Sequence, residues 1–188
     1  MLINMKDRII RGRALILRDK DGNIYNNIDT DQIYHNNYLA ITDISQMGQY
    51  ALGNLKGHEN FHKTAQKGDI VIAGRNFGAG SSRQQAVDCF TALGVSLILC
   101  ESIGAIYKRN AINSGFPMIC CEDILKLADA KTGVIKDGDI IEVNIETGAI
   151  QKIENGKTAL IGKAAPFSNV QLDIYETGSL FSFVPPVS

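Results

Sequence analysis

Residues 69 to 93 carry the pattern that most restricts the fold: a short apolar run, a glycine-rich loop, then a helix-like segment. Asp69-Ile70-Val71-Ile72-Ala73 reads as a strand, and Gly74-Arg75-Asn76-Phe77-Gly78-Ala79-Gly80-Ser81-Ser82-Arg83 follows it directly. In the next ten positions Ala86, Cys89, Phe90 and Leu93 recur at helical spacing, and Gly94 supplies a stop. Val95–Cys100 and Pro117–Ile119 repeat the short apolar run between helical segments, which predicts βαβ units and some parallel sheet. Upstream, Gly12–Leu17 reads as a first strand, closed by a polar turn over Asp19–Asn23. After Thr132 the pattern changes. Asp139–Ile145 and Ala149–Ile153 alternate around Glu146-Thr147-Gly148, as an antiparallel hairpin does, and Asn169–Leu180 reads as a terminal helix stopping near Gly178. No linker, repeat or low-complexity tract interrupts the chain, so residues 1–188 are expected to form one α/β domain mixing parallel and antiparallel strands.

The loop has a chemistry of its own. Three glycines (Gly74, Gly78 and Gly80) let the backbone approach a ligand closely. Two serines and an arginine follow where the helix is expected to start, a place whose free N–H groups favour an anion. Arg83 adds a planar fork suited to a carboxylate or phosphate. This pattern predicts an anionic-substrate site with a serine base. The plainer reading is a tight turn whose helix is capped by Ser81 or Ser82.

Three familiar glycine-rich sites fail here. A P-loop requires glycine where Ala79 stands and a lysine after it. The dinucleotide fingerprint fits Gly78 and Gly80 but meets Arg83 at its third glycine, although Glu101 stands where a ribose-binding acid would. A hydrolase elbow needs glycine two residues either side of its serine, and neither Ser81 nor Ser82 has both.

Asn76–Arg83, together with Asn27-Ile28-Asp29-Thr30-Asp31-Gln32-Ile33 upstream and Arg109-Asn110-Ala111-Ile112-Asn113-Ser114-Gly115-Phe116-Pro117 downstream, resembles the isopropylmalate dehydratase small-subunit family. That family is the detached fourth domain of aconitase-type iron–sulfur hydro-lyases. The resemblance spans nearly the whole chain, more weakly after about Asp123. It implies a three-layer β/β/α swivel fold. It further implies that Ser81 is the catalytic base for the proton alpha to a carboxylate, and that Ser82 and Arg83 hold the base and the substrate carboxylate. Asp31 matches an aspartate that supports the site. The [4Fe–4S] cluster of such enzymes is implied to sit on a large-subunit partner. The chain departs from the family at Gln84-Gln85, where Glu-His is usual, and at Ala105, where arginine is common.

In this family the loop after Asp-Thr-Asp helps to select the substrate's variable group. Here it reads Tyr34-His35-Asn36-Asn37-Tyr38-Leu39-Ala40-Ile41-Thr42. Homoaconitase-like relatives place an arginine after Tyr-Leu, whereas Ala40 cannot pair a buried carboxylate. Leu39 and Ala40 therefore point to a branched-alkyl malate such as isopropylmalate; methylmalate and dimethylmalate fit Ala40 equally well. A non-catalytic anion-binding module is the reading from another class.

The remaining motifs bound the answer. His58-Glu59-Asn60-Phe61-His62 matches the zinc-protease pattern, but it lies between Gly57 and Gly68, where only a short helix fits. Cys89 and Cys100 lie in apolar segments as core residues, and Cys89, Cys100, Cys120 and Cys121 show no ligand spacing for iron or zinc. A net charge of −1 gives no electrostatic case for nucleic acid. The start, Met1–Arg8, lacks the apolar core of a signal peptide and no stretch reaches membrane-spanning length, so a cytoplasmic enzyme subunit is expected.

Overall fold

The computed structural model describes residues 6–183. Seven strands form one sheet in the order β4-β3-β2-β1-β5-β6-β7. β1 (Ile9–Ile16), β2 (Ile70–Ala73), β3 (Leu97–Cys100) and β4 (Met118–Cys120) run parallel. β5 (Ile140–Asn144), β6 (Ala149–Glu154) and β7 (Lys157–Lys163) continue from β1 as an antiparallel meander. β1 belongs to both halves: Ala14 to Ile16 pair with β2, while Ile9 to Arg13 pair with β5.

Two cores follow from the period of two along these strands. Val71, Ala73, Ile98 and Cys100 face the helices α3 (Gln85–Leu93) and α4 (Ala105–Asn113), packing on Ala86, Phe90, Tyr107 and Ala111. Ile70, Ile72, Leu97 and Leu99 face the other way and share a core with Ile141, Val143 and Ile150, so the antiparallel strands fold over that face. The result is the expected β/β/α layering. β2 and β3 are buried along their whole length, which is why they read as unbroken apolar runs. The short helices α1 (Thr30–Ile33), α2 (Phe61–Thr64) and α5 (Ile124–Leu127) sit in the connections, and α6 (Asn169–Thr177) closes the chain.

The expected strands at 70–73, 95–100 and 117–119, the hairpin and the glycine stops are present. Gly94 and Gly178 take left-handed conformations as helix caps. Three readings need correction. β1 begins at Ile9 rather than Gly12, because its first half pairs with β5. β7 was not expected; four of its first residues are exposed, including Leu160 at 69%, so it carries no alternation. The terminal helix ends at Thr177, short of Leu180. Met1–Met5, part of the segment read for targeting, lies outside the described residues. Among the described residues no helix is long and apolar enough to cross a membrane.

Candidate active site

The loop after β2 depends on unusual backbone angles: Asn76, Gly78 and Gly80 have φ of 55°, 73° and 103°. It is held from both sides. Gly78 N–H donates to the Ile28 carbonyl at 2.8 Å, and Thr30 N–H to the Ala79 carbonyl at 2.9 Å. On the other side Phe77 N–H donates to the Ser102 carbonyl at 2.9 Å, and Gly104 N–H to the Phe77 carbonyl at 2.8 Å. Asp29 with Ala79, and Phe77 with Ile103, thus form short parallel bridges.

Beneath the loop, Phe77 packs edge-on against Tyr107, both 1% exposed, and the Tyr107 hydroxyl donates to the Ala86 carbonyl at 2.7 Å. A Cβ on Gly78 would overlap the Tyr107 ring. Gly78→Ala is therefore expected to cost about 2–4 kcal/mol, a fall of roughly 5–15 °C in Tm. A thermal melt of the variant checks this, and an unchanged Tm would contradict the packing described.

Three side-chain contacts then bring the three distant motifs together. Thr30 Oγ1 lies 3.2 Å from Ser81 Oγ. Arg83 Nη1 donates to Asp31 Oδ1 at 2.7 Å and to the Tyr34 carbonyl at 3.2 Å. Asn110 Nδ2 donates to Ser82 Oγ at 3.4 Å. Ser81 and Ser82 are exposed, whereas the Arg83 side chain is only 14% exposed. The hydrogen bond from Arg83 holds the Asp31 carboxyl below its ordinary range, against a smaller opposing effect of burial. Asp31 in turn offsets the charge of Arg83 and fixes its fork. Among the described residues no side chain or carbonyl accepts from Arg83 Nε or Nη2, which remain able to take a carboxylate.

Leu39 and Ala40 are exposed. Gln85 Nε2 donates to the Leu39 carbonyl at 3.4 Å, tying their loop to the start of α3. The loop is further shaped by Tyr38, stacked on Tyr50 at 3.9 Å, and by Tyr34, whose hydroxyl donates to the Tyr38 carbonyl at 3.2 Å. Burial pushes the Tyr34 phenol up to about 12, so it stays protonated and a donor. The structure thus joins the motifs of Ser81, Ser82, Asp31 and Arg83, and leaves Leu39 and Ala40 exposed, with Leu39 tied by its carbonyl to Gln85.

The helix start is a correction. α3 begins at Gln85 with Gln84 as its N-cap, and no side chain caps it. The turn at Gly80 and the pull of Asp31 on Arg83 keep residues 81–83 out of the helix. Ser81 is therefore not a cap; it precedes the N-cap Gln84 by three residues. What faces its hydroxyl is Thr30. Sequence reasoning passed over Thr30 and Asn110, although both stand inside the motifs that carried the resemblance.

The histidine pair does not form a helical metal site. His58 precedes α2, its ring meets the Arg18 carbonyl at 2.9 Å, and only His62 lies on the helix. The cysteines do not suit an iron–sulfur cluster either. Cys100 pairs in register with Cys120 across β3 and β4, while Cys121 turns to the opposite core and Cys89 lies buried in α3. Among the described residues no three His, Cys, Asp or Glu side chains gather as a metal site.

The family described as the Aconitase C-terminal domain matches residues 8–120. The 3-isopropylmalate dehydratase small subunit of Caldicellulosiruptor bescii is 37% identical over 90% of this chain and 95% of its own length. The isopropylmalate/citramalate isomerase small subunit of Methanocaldococcus jannaschii is 35% identical, over 85% of this chain and 88% of its own. A crystal structure of 3-isopropylmalate dehydratase (LeuD) from Methanocaldococcus jannaschii superposes with a TM-score of 0.74 at 32% identity, covering 93% of this chain and 92% of that one. With its fold and nearly its whole length shared, the chain belongs to the aconitase swivel-domain family, in the branch of 3-isopropylmalate dehydratase small subunits.

Proposed function

We propose that this chain is the small subunit of a [4Fe–4S] hydro-lyase that isomerises 2-isopropylmalate to 3-isopropylmalate by dehydration and rehydration, a step of leucine biosynthesis. Residues 1–188 act as one swivel domain, in the cytoplasm, joined to a large subunit. The observation that carries this reading is the joining of two distant motifs at the open end of β2, where Thr30 meets Ser81 and the neighbouring Asp31 holds the fork of Arg83. Ligands of sheets with parallel strands gather at such ends.

Ser81 takes the proton from the carbon alpha to a carboxylate. The electrons of that C–H bond form the alkene as the hydroxyl leaves the neighbouring carbon, and the reverse sequence places hydroxyl and proton on exchanged carbons. Bound on the large subunit, the cluster supplies the Lewis acid that eases loss of the hydroxyl. Arg83 receives the substrate carboxylate on its free edge, Asp31 fixes the fork, and Ser82 with Asn110 steadies the loop. Leu39 and Ala40 border the alkyl group once the large subunit covers them.

Ala40 favours a small alkyl substituent over a third carboxylate, and citramalate is the second reading, because a relative named for both isopropylmalate and citramalate is 35% identical. Ala40→Arg is expected to lower kcat/KM for 2-isopropylmalate about tenfold and to raise that for homoaconitate, by pairing its extra carboxylate. The test is a comparison of kcat/KM for 2-isopropylmalate, citramalate and homoaconitate with the assembled complex. Faster turnover of homoaconitate by the native chain would overturn the assignment.

A further inference from the structure

Ser81 needs a partner that makes its hydroxyl a competent base, and among the described residues the side chain that meets that hydroxyl is Thr30. Thr30 is placed for it. The residue is 2% exposed, and its hydroxyl lies 3.2 Å from Ser81 Oγ. Three features hold it there. Thr30 opens α1, whose capping box on Asp29 and Gln32 fixes the turn. Its N–H is bound to the Ala79 carbonyl at 2.9 Å. Gly80, with φ of 103°, lets the loop pass so close that a Cβ there would stand 3.3 Å from Thr30 Oγ1.

Resting on the reading of Ser81 as base, we propose that Thr30 is a positioning residue whose hydroxyl donates a hydrogen bond to Ser81 Oγ, keeping its own proton, and stabilises the serine once the serine proton has passed to solvent. Between two neutral hydroxyls either can donate. Once Ser81 has lost its proton it can only accept, and Thr30 becomes the donor of a charge-assisted bond in a site shielded from water on the Thr30 side. The pair therefore favours the alkoxide over the alcohol. Thr30 also fixes the Ser81 rotamer, although Ser81 itself is exposed.

The test uses the assembled enzyme with Thr30→Val, Thr30→Ser and Ser81→Ala. Thr30→Val keeps the buried shape and removes the donor. Its kcat is expected to fall about 10- to 100-fold with KM nearly unchanged, and the rising limb of its kcat–pH profile to move up by about one unit or more. Thr30→Ser restores both, because a hydroxyl returns to the same place. A Thr30→Val enzyme with native kcat and an unmoved limb overturns the proposal, provided Ser81→Ala is inactive in the same assay. A Thr30→Val loss that Thr30→Ser does not recover marks a packing role and overturns it equally. Native activity in Ser81→Ala removes the serine base, and the role of Thr30 falls with it.

Discussion

Ser81→Ala is expected to lower kcat of the assembled enzyme about 10³-fold while leaving KM and subunit association nearly unchanged. The magnitude is that of removing a positioned general base. The separation of kcat from KM follows from geometry. The Ser81 side chain is exposed, and its described partner is one hydroxyl, so its loss removes little from the loop and nothing from the edge of Arg83 proposed to take the carboxylate. Alkene absorbance gives the rate, and incorporation of solvent deuterium into unreacted substrate gives the proton transfer directly. Both fall together if Ser81 moves the proton. Deuterium exchange at the native rate in Ser81→Ala would place the base elsewhere.

Arg83→Leu is expected to act on the other side of the same site, lowering kcat/KM about 10²- to 10³-fold, chiefly by raising KM. The loss is that of a charged, forked donor to a carboxylate. Steady-state kinetics beside the Ser81 variant separate the two roles. Stability changes little, because Asp31 is 41% exposed and water takes the place of the guanidinium. The pair also has a pH signature. Arg83 depresses the folded-state carboxyl of Asp31, so the tie is complete above the ordinary aspartate range near 3.9 and is lost as pH falls through the lower folded value. The Arg83 fork is therefore fixed throughout the neutral range and opens only in acid. A large change in kcat with native KM would contradict a binding role for Arg83.

The parts of the fold that were legible in the sequence are those whose local chemistry agrees with their final surroundings. Ile70–Ala73 and Leu97–Cys100 are apolar throughout because both faces are covered. Gly94 and Gly178 end helices because each takes a left-handed angle that other residues resist. β7 was illegible for the opposite reason: exposed on most of its length, it forms through pairing with β6 rather than through burial. The start of α3 was misplaced because serine favours N-caps in general, whereas here Gly80 turns the chain and Asp31 draws Arg83 away from the helix.

The site divides in the same way. Ser81, Ser82, Arg83 and Asp31 were read as a site from three ordered motifs and a family resemblance, and contacts of Thr30 with Ser81, Arg83 with Asp31 and Asn110 with Ser82 join those motifs. The contact of Thr30 with Ser81 joins positions 51 residues apart, which no spacing along the chain encodes. Leu39 and Ala40 were read as a substrate loop through the resemblance, and both are exposed, as the proposed closure by a second subunit requires.

The most direct measurement is 2-isopropylmalate dehydration, followed as alkene absorbance, by this chain with a cluster-bearing large subunit under anaerobic conditions, beside each subunit alone. Turnover should appear only when both are present and should be lost with Ser81→Ala. Turnover by the isolated chain without iron, or undiminished turnover in the Ser81→Ala complex, would contradict the division of the active site between a serine base here and a cluster on the partner.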